Sequence, residues 1–497
     1  FAFDKFVLSP HREAVLVAAA TREAAARAKP ADRGNSIAVL PLANASGDAN
    51  QLFFSDGLSE NLIDALSKLE GLRVIGRTSS FRFRDSKEDA RSIGAKLGVA
   101  YLLAGSVQRA DDQVRIRAEV VRTSDGSAIW TDSFDRPFRD LFALQDELTR
   151  AIAGVLKAKL LSPGARTDDR PPSGSVEAYS AFLRGVFYAD RGEDGDMRRA
   201  IAEMTRATQL DPGYASAWAA LSRNWTTLAA LGLSGDEAQR AYAEARKAGD
   251  VALGLAPDLG DAYVARGWLL ENAELDWRGA TIAYRRGLEL SPDNLQTMFS
   301  MASMLALQGQ LNEAIALSRQ ALDNDPMSPN WWNWYSAYLS AVGRLDEAEA
   351  AIRQSIALRP QGSSAWAQLA IIELQRGDAK AALDAAEKEP EGVWHEIALA
   401  MALQVGKDRA AADAALAKLI ADHGDVAAYQ VAQVQALRND ADATFEWLQR
   451  AHETRDPGVG NTLIDPLVMR YRNDPRLAAF CKTVGLPPPT ESQTKGL

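Results

Sequence analysis

Four prolines, Pro257, Pro292, Pro326 and Pro360, recur at intervals of 35, 34 and 34 residues. A fixed interval of this size marks one supersecondary unit copied along the chain. Each copy is too small to bury its apolar face alone and becomes stable only when stacked on its neighbours.

A second feature keeps the same period. Between Leu295 and Pro326, Ala302, Ala314 and Ala321 place small side chains where the two helices of a hairpin must approach closely, and the unit ending at Pro360 has Ser336, Ala348 and Ser355 there. Gln308-Gly309-Gln310 and Val342-Gly343-Arg344 are the turns, where glycine ends a helix in the left-handed conformation. This phase resembles the tetratricopeptide repeat and predicts an all-α solenoid over residues 178–458. Upstream copies carry Gly185, Gly192 and Ala200, then Trp218 and Leu221 with an insertion around Leu228 to Asp236, then Tyr263, Gly267 and Ala280. A short copy holds Trp366, Leu369, Gly377 and Ala382, and two degenerate pairs are expected near Val393 to His423 and Val426 to Arg455. The expectation is roughly eight helix pairs, the terminal ones least regular, with a cap and tail over 459–497.

The region before the repeats has a different pattern. Residues 1–35 are expected to form a spacer with an Ala-rich helix over 11–30, ended by Lys29-Pro30. Residues 36–161 read as an α+β domain, a mixed sheet with helices. Ile37 to Leu40 is a buried strand; Leu58, Leu62, Ala65, Leu66 and Leu69 follow helical spacing. Leu72 to Ile75 and Asp89 to Leu97 repeat that strand–helix order. Tyr101 to Arg109, Gln113 to Arg122 and Ala128 to Phe134 then read as three antiparallel strands with turns at Asp111-Asp112 and Asp125-Gly126. In the middle strand Val114, Ile116, Ala118 and Val120 alternate with Arg115, Arg117 and Glu119, which predicts one packed and one wet face. A helix from about Asp140 to Leu161 closes the domain, and residues 162–177 form a linker.

Composition narrows the function. A formal net charge of −10 argues against a surface that neutralises nucleic-acid phosphates, and the Arg-rich stretch from Arg73 to Arg91, with Arg77, Arg82, Arg84 and Lys87, reads as a solvated face balanced by Asp85, Glu88 and Asp89. Cys481 is the single cysteine, so neither an intramolecular disulfide nor a multi-cysteine zinc site can form. No apolar run is long enough to span a bilayer. Phe1-Ala2-Phe3 before Asp4 and Lys5 reads either as the exit end of a membrane segment lying upstream or as the start of a helix.

Several segments together carry a family likeness. Ser36-Ile37-Ala38-Val39-Leu40-Pro41, Phe54 to Glu60, Arg77-Thr78-Ser79-Ser80-Phe81, Gly105-Ser106-Val107 and Gln145-Asp146-Glu147 resemble the TolB-like N-terminal domain. That domain precedes tetratricopeptide repeats in membrane-anchored bacterial regulators similar to the CadC-type transcriptional activators, and in some adenylate cyclases. Phe445 to Arg455, Asp465-Pro466-Leu467 and Asn473-Asp474-Pro475-Arg476 are similar to the tail of the same architecture. The resemblance implies a sensory module on the periplasmic face of the inner membrane, anchored through a segment upstream of Phe1, with a cytoplasmic output domain elsewhere. A cytoplasmic location is the other option.

Candidate chemistry is sparse. His11, His395, His423 and His452 show no metal-ligand spacing, so no metal, cofactor or catalytic residue is predicted. Ser55-Asp56-Gly57 can hold an anion at a helix start or simply cap that helix. Gly105-Ser106-Val107 lacks the flanking glycines of a nucleophile elbow. Projecting the repeat phase places Arg223, Val264, Trp268, Phe299, Asn330, Asn333, Ala337, Ala367 and Ile371 on the inner wall, the expected groove for a protein or peptide. Trp268 and Phe299 fit packing between repeats equally well, while Trp218, Trp332 and Trp366 fall in the packing phase. The sequence thus points to a non-enzymatic binding module of a regulator. The alternatives are a periplasmic scaffold for envelope assembly and an enzyme using the α/β domain.

Overall fold

The structure, a computed structural model, describes residues 35–110, 112–156, 159–160, 170–191, 195–233 and 235–489. The helix expected over 11–30, Asp111, Gly192 and half of the proposed linker, residues 162–169, lie outside the described residues.

The first part is a mixed sheet with strand order β4-β1-β5-β6-β7. β1 (Ser36–Val39) lies parallel between β4 (Arg73–Val74) and β5 (Tyr101–Ala110), and β2 (Ala43–Asn44) also pairs with β5. β5, β6 (Gln113–Arg122) and β7 (Ala128–Pro137) form the antiparallel half. Val114, Ile116, Ala118 and Val120 are buried and Arg115 and Arg117 exposed, as the alternation predicts. Gly105 allows close pairing of β5 with β6, since a Cβ there would lie 2.1 Å from the Arg117 carbonyl oxygen. Helices α1 (Leu52–Ser67) and α4 (Leu141–Leu156) contribute Phe54, Leu58, Leu62 and Leu66 and Leu144, Leu148 and Ile152 to a core shared with Leu103 and Val107. Two short helices, α2 (Arg77–Phe81) and α3 (Ala90–Leu97), complete this part. Asp89 caps α3 by accepting the Ser92 N–H at 2.8 Å.

Two expected helix ends differ. Leu69 lies outside α1 and joins β3 (Leu69–Glu70), and α4 does not reach Leu161, because Lys159 and Leu160 form β8 (Lys159–Leu160), which pairs with β3. The short ladder pairs the backbone of Leu69 and Glu70 with that of Leu160 and Lys159.

Eight helix pairs follow among the described residues. They are α5 (Val176–Arg191) and α6 (Asp196–Leu210), α7 (Ala215–Gly232) and α8 (Gly235–Leu255), α9 (Gly260–Leu269) and α10 (Trp277–Leu290), and α11 (Leu295–Leu307) and α12 (Leu311–Asn324). The remainder are α13 (Pro329–Ala341) and α14 (Leu345–Leu358), α15 (Ala365–Arg376) and α16 (Ala379–Ala386), α17 (Val393–Leu403) and α18 (Arg409–His423), and α19 (Ala428–Leu437) and α20 (Ala441–Glu453). A last helix, α21 (Pro475–Thr483), lies in the tail. The fold is therefore a small mixed α+β sheet domain followed by a tetratricopeptide-type solenoid. The insertion expected around residues 228–236 is absorbed as longer helices, 18 residues in α7 and 21 in α8.

Small residues sit where they are needed. A Cβ on Gly185 would meet Met204, and one on Gly267 would lie 2.6–2.9 Å from the Tyr284 ring. Ser222 and Ser336 keep the contact close by donating their hydroxyls to the Ala245 and Ala348 carbonyls, each at 2.7 Å. Gly309 and Gly343 hold the turns at φ +75° and +76°.

The chain divides into two compact units. One contains the described residues up to Glu274 with Ile282–Met298 and Asp323–Pro326; the other contains Leu275–Thr281, Phe299–Leu322 and the described residues from Met327 onward. In the second unit the tail packs on the start of the unit: the Trp277 indole donates to the Val484 carbonyl at 2.8 Å, and Gly460 and Gly485 lie against the same indole. Among the described residues no helix is long and apolar enough to cross a membrane.

Gly267→Ala should destabilise the protein by about 1–3 kcal/mol, because the buried Tyr284 ring cannot move aside without cost. Chemical denaturation monitored by circular dichroism measures it; an unchanged midpoint would show that the crossing tolerates a methyl group.

Candidate functional site

Asp325 precedes Pro326 of the repeat period, just after α12, and only 2% of its surface is exposed. Its Oδ1 accepts the Ser79 backbone N–H at 2.7 Å and also the Ser79 hydroxyl. The contact continues on both sides, with the Gly76 N–H donating to the Asn324 carbonyl at 2.8 Å and Arg73 Nη1 to the Asp323 carbonyl at 2.8 Å. Gly76 is required for this approach, since a Cβ there would be 2.6 Å from Leu295 Cδ1 and 3.0 Å from Asp325 Cγ. The carboxylate from the repeats thus caps the first turn of α2 in the sheet domain. Burial raises the Asp325 pKa against the lowering effect of its bonds to Ser79 and Thr78.

A charged cluster lies on the other side of α2. Arg77 Nη2 approaches Asp190 of α5 at 3.1 Å and Arg77 Nε approaches Glu60 of α1 at 3.5 Å. Arg84 donates to Asp56 at 2.7 Å, and both guanidinium groups lie over the Phe81 ring. Burial pulls the Arg77 pKa down, but Asp190, Glu60, Asp56 and Asp325 together bring it above its ordinary value. Asp56 is raised because burial outweighs its bond to Arg84. The cluster ties α1, α2 and α5 together, each cation with a carboxylate partner.

This geometry corrects two sequence expectations. Ser55-Asp56-Gly57 does not begin a helix: α1 starts at Leu52, so the segment is a buried part of its first turns and neither caps the helix nor presents its amides to an anion. The short polar side chains are satisfied within the helix, Ser55 Oγ donating to the Leu52 carbonyl and Ser59 Oγ to Ser55, while Ser59 Oγ accepts the Leu42 N–H. Nor is the stretch from Arg73 to Arg91 simply a solvated face. Arg73, Arg77 and Arg84 turn towards carbonyls and carboxylates that the fold brings to them, while Glu88 pairs with Lys96 at the surface.

The projected groove residues are spread over both units. In the first, Arg223 is partly buried, Val264 is 6% exposed, and the Trp268 indole donates to Thr227 Oγ1 at 3.2 Å. In the second, Phe299 stacks on Trp331 with centroids 5.8 Å apart and an interplanar angle of 11°. Asn330 is exposed and accepts from Arg359 at 3.0 Å, and Asn333 donates to Ser364 Oγ at 3.3 Å. Ala337 and Ile371 are partly buried; Ala367 is buried, its N–H held by Glu389. Trp268 and Phe299 therefore both make contacts between neighbouring repeats. Trp218 donates to the Pro212 carbonyl at 3.0 Å and Trp332 packs edge-on to Tyr335, in keeping with packing roles.

Glu271 was not apparent from the sequence. It lies in a π-helical turn, Leu270–Glu274, that continues α9, and accepts the Tyr284 hydroxyl at 2.8 Å. Burial pushes its pKa up to about 7. No group of three or more potential metal-binding side chains occurs among the described residues.

Residues 33–151 match the family described as HilA/YgeH-like transcriptional regulator, second domain. The chain is also 40% identical over 192 residues to the protein named putative adenylate cyclase 3 of Rhizobium meliloti (strain 1021), a match covering 38% of this chain and 32% of that relative. The chain thus spans about a third of the relative's length. Among solved structures it is similar to a tetratricopeptide repeat protein from Parabacteroides merdae ATCC 43184, with 13% identity, a TM-score of 0.37, and 56% of this chain and 100% of that one covered. It is similar also to PilW, a type IV pilus biogenesis factor, with 17% identity, a TM-score of 0.35, and 42% of this chain and 91% of that one covered. YrrB, described as a tetratricopeptide repeat protein with an unusual peptide-binding site, gives 17% identity, a TM-score of 0.30, and coverage of 43% and 96%.

Asp325→Ala should cost about 1–3 kcal/mol by removing the buried carboxylate that accepts the Ser79 N–H and hydroxyl. Hydrogen exchange should quicken at Ser79 and Ser80 while β5 and β6 keep their protection; equal loss in the sheet would refute a local cap.

Glu271 should make stability depend on pH. Its folded-state pKa of about 7 exceeds the ordinary 4.5, so its contribution is complete below about pH 4.5 and is lost as pH rises through about 7. Urea titrations from pH 4 to 8 should show this decline in the wild type and a flatter profile in Glu271→Gln.

Proposed function

We propose that this chain is a non-enzymatic protein- or peptide-binding module of a bacterial regulator, in which the repeats hold the partner and the α/β domain relays its presence. The observation that carries the reading is the double attachment of α2: Asp325 of the repeats caps it, and Arg77 on the same helix reaches Asp190 of the first repeat and Glu60 of the sheet domain. A partner that displaces the end of α12 acts directly on that helix. Binding then transmits a signal by favouring one arrangement of the network over another, which requires different affinity for the two.

The match of residues 33–151 to a transcriptional-regulator domain supports a regulatory role. The proposal extends to the TolB-like character of that domain, anchorage through a segment upstream of Phe1, and a location on the periplasmic face of the inner membrane. An output such as the cyclase named for the relative would then lie in other parts of a longer protein.

The groove is tested with photo-crosslinking residues placed at Asn330 or Ala337, and at exposed Arg353 on α14 as a control. One discrete adduct from the first two sites, absent from Arg353 and lost in Ile371→Glu, is the expected result. Adducts of equal yield at all three sites, or none at the first two, would contradict a groove-bound partner.

A further inference from the structure

Arg109 is the penultimate residue of β5, its backbone N–H donating to Ser46 Oγ at 2.9 Å. Its guanidinium carbon lies 3.7 Å from the Phe138 ring centroid and 5.7 Å from that of Phe54. Arg184, on α5, holds its guanidinium carbon 5.1 Å from the Phe53 ring. Phe53 and Phe54 are 6.5 Å apart and Phe54 and Phe138 are 5.6 Å apart. Two cations therefore rest on one continuous run of three phenyl rings.

The two arginines differ in their partners. Arg184 has Glu203 at 3.1 Å and donates to Ser180 Oγ at 3.2 Å. Arg109 has no side-chain hydrogen bond or ion pair among the described residues, and its contacts are aromatic. Burial lowers its pKa and the positive charge of Arg184 lowers it further; Glu177 and Asp112 oppose this from outside ion-pair distance. Among the described residues, this partly buried guanidinium beside another cation has its fork of donors unfilled and lacks the counter-charge that normally accompanies such burial.

We propose that Arg109 and Arg184 form a binding site for a dianionic oxyanion of the phosphate class, seated where the sheet domain meets the first repeat helix. The guanidinium fork matches two oxygens of such a group. A tetrahedral oxyanion suits the site better than a carboxylate, because two of its oxygens can fill the fork of Arg109 while a third remains to meet Arg184, which Glu203 engages through Nε. The site is separate from the repeat groove, so its failure would leave the partner-binding reading intact.

Calorimetric titration of the full chain with inorganic phosphate, sulfate and acetate at constant ionic strength tests the site. Saturable binding of phosphate and sulfate, tighter than acetate, is expected, with at least about a tenfold loss in Arg109→Gln and a smaller loss in Arg184→Gln. Arg109→Lys, which keeps the charge but not the fork, should fall between wild type and Arg109→Gln, and it serves as the test if Arg109→Gln does not fold. Glycerol phosphate binding more tightly than inorganic phosphate would identify a phosphomonoester as ligand, and the reverse order free phosphate. No saturable binding, equal affinity in the Arg109 variants, or acetate binding as tightly as phosphate would overturn the assignment.

Discussion

Close approach of two helices at one small side chain is the contact on which every repeat depends. Helix axes come near enough to exclude water only if the crossing point carries almost no volume. Gly185 meets Met204 there and Gly267 meets the ring of Tyr284, while Ala302 and Ala348 are fully buried. Serine fills the position in Ser222 and Ser336 because its hydroxyl has a carbonyl waiting across the pair. A larger residue would separate the pair, and an unbonded hydroxyl would leave a buried donor without an acceptor.

The Asp-Pro steps that end the second helices serve a further purpose. Proline stops the helix and leaves the preceding carboxylate free to receive donors from elsewhere. Asp211 takes the Ser173 N–H and hydroxyl at 3.0 and 2.7 Å, anchoring the segment that enters the first repeat. Asp325 takes the same two groups of Ser79 from the sheet domain. In the tail, Asp456 caps its own turn at Gly458 and also holds the Tyr429 N–H, and Asp465 holds the Tyr429 hydroxyl and Gln433. One residue type at one kind of position thus does the joining at four places in the chain, as an acceptor for donors that would otherwise be buried unpaired.

Legibility followed the range of the interactions involved. The alternation of Val114, Ile116, Ala118 and Val120 depends on neighbours two residues apart and appears unaltered in β6. The turns at Gly309 and Gly343 depend on the φ of a single residue. Ser55-Asp56-Gly57 misled because short polar residues favour helix starts only while their side chains need the free amides; here Ser55 and Ser59 bond back to carbonyls inside α1. In the sequence Arg77 and Arg84 read as surface residues, because their partners Asp190 and Asp56 lie on helices distant from them along the chain.

The sequence by itself determined the repeat period, the helix pairs and the mixed sheet, since these rest on propensity, patterning and turn chemistry within a few tens of residues. Only the tertiary structure decided that Ser79 would be capped by Asp325, 246 residues away, and that Arg109 and Arg184 would share a shelf of phenyl rings. Such pairings carry no local signature, because a carboxylate or guanidinium side chain suits water equally well until packing of the sheet against the repeats removes the water and leaves each group the partners that lie within reach.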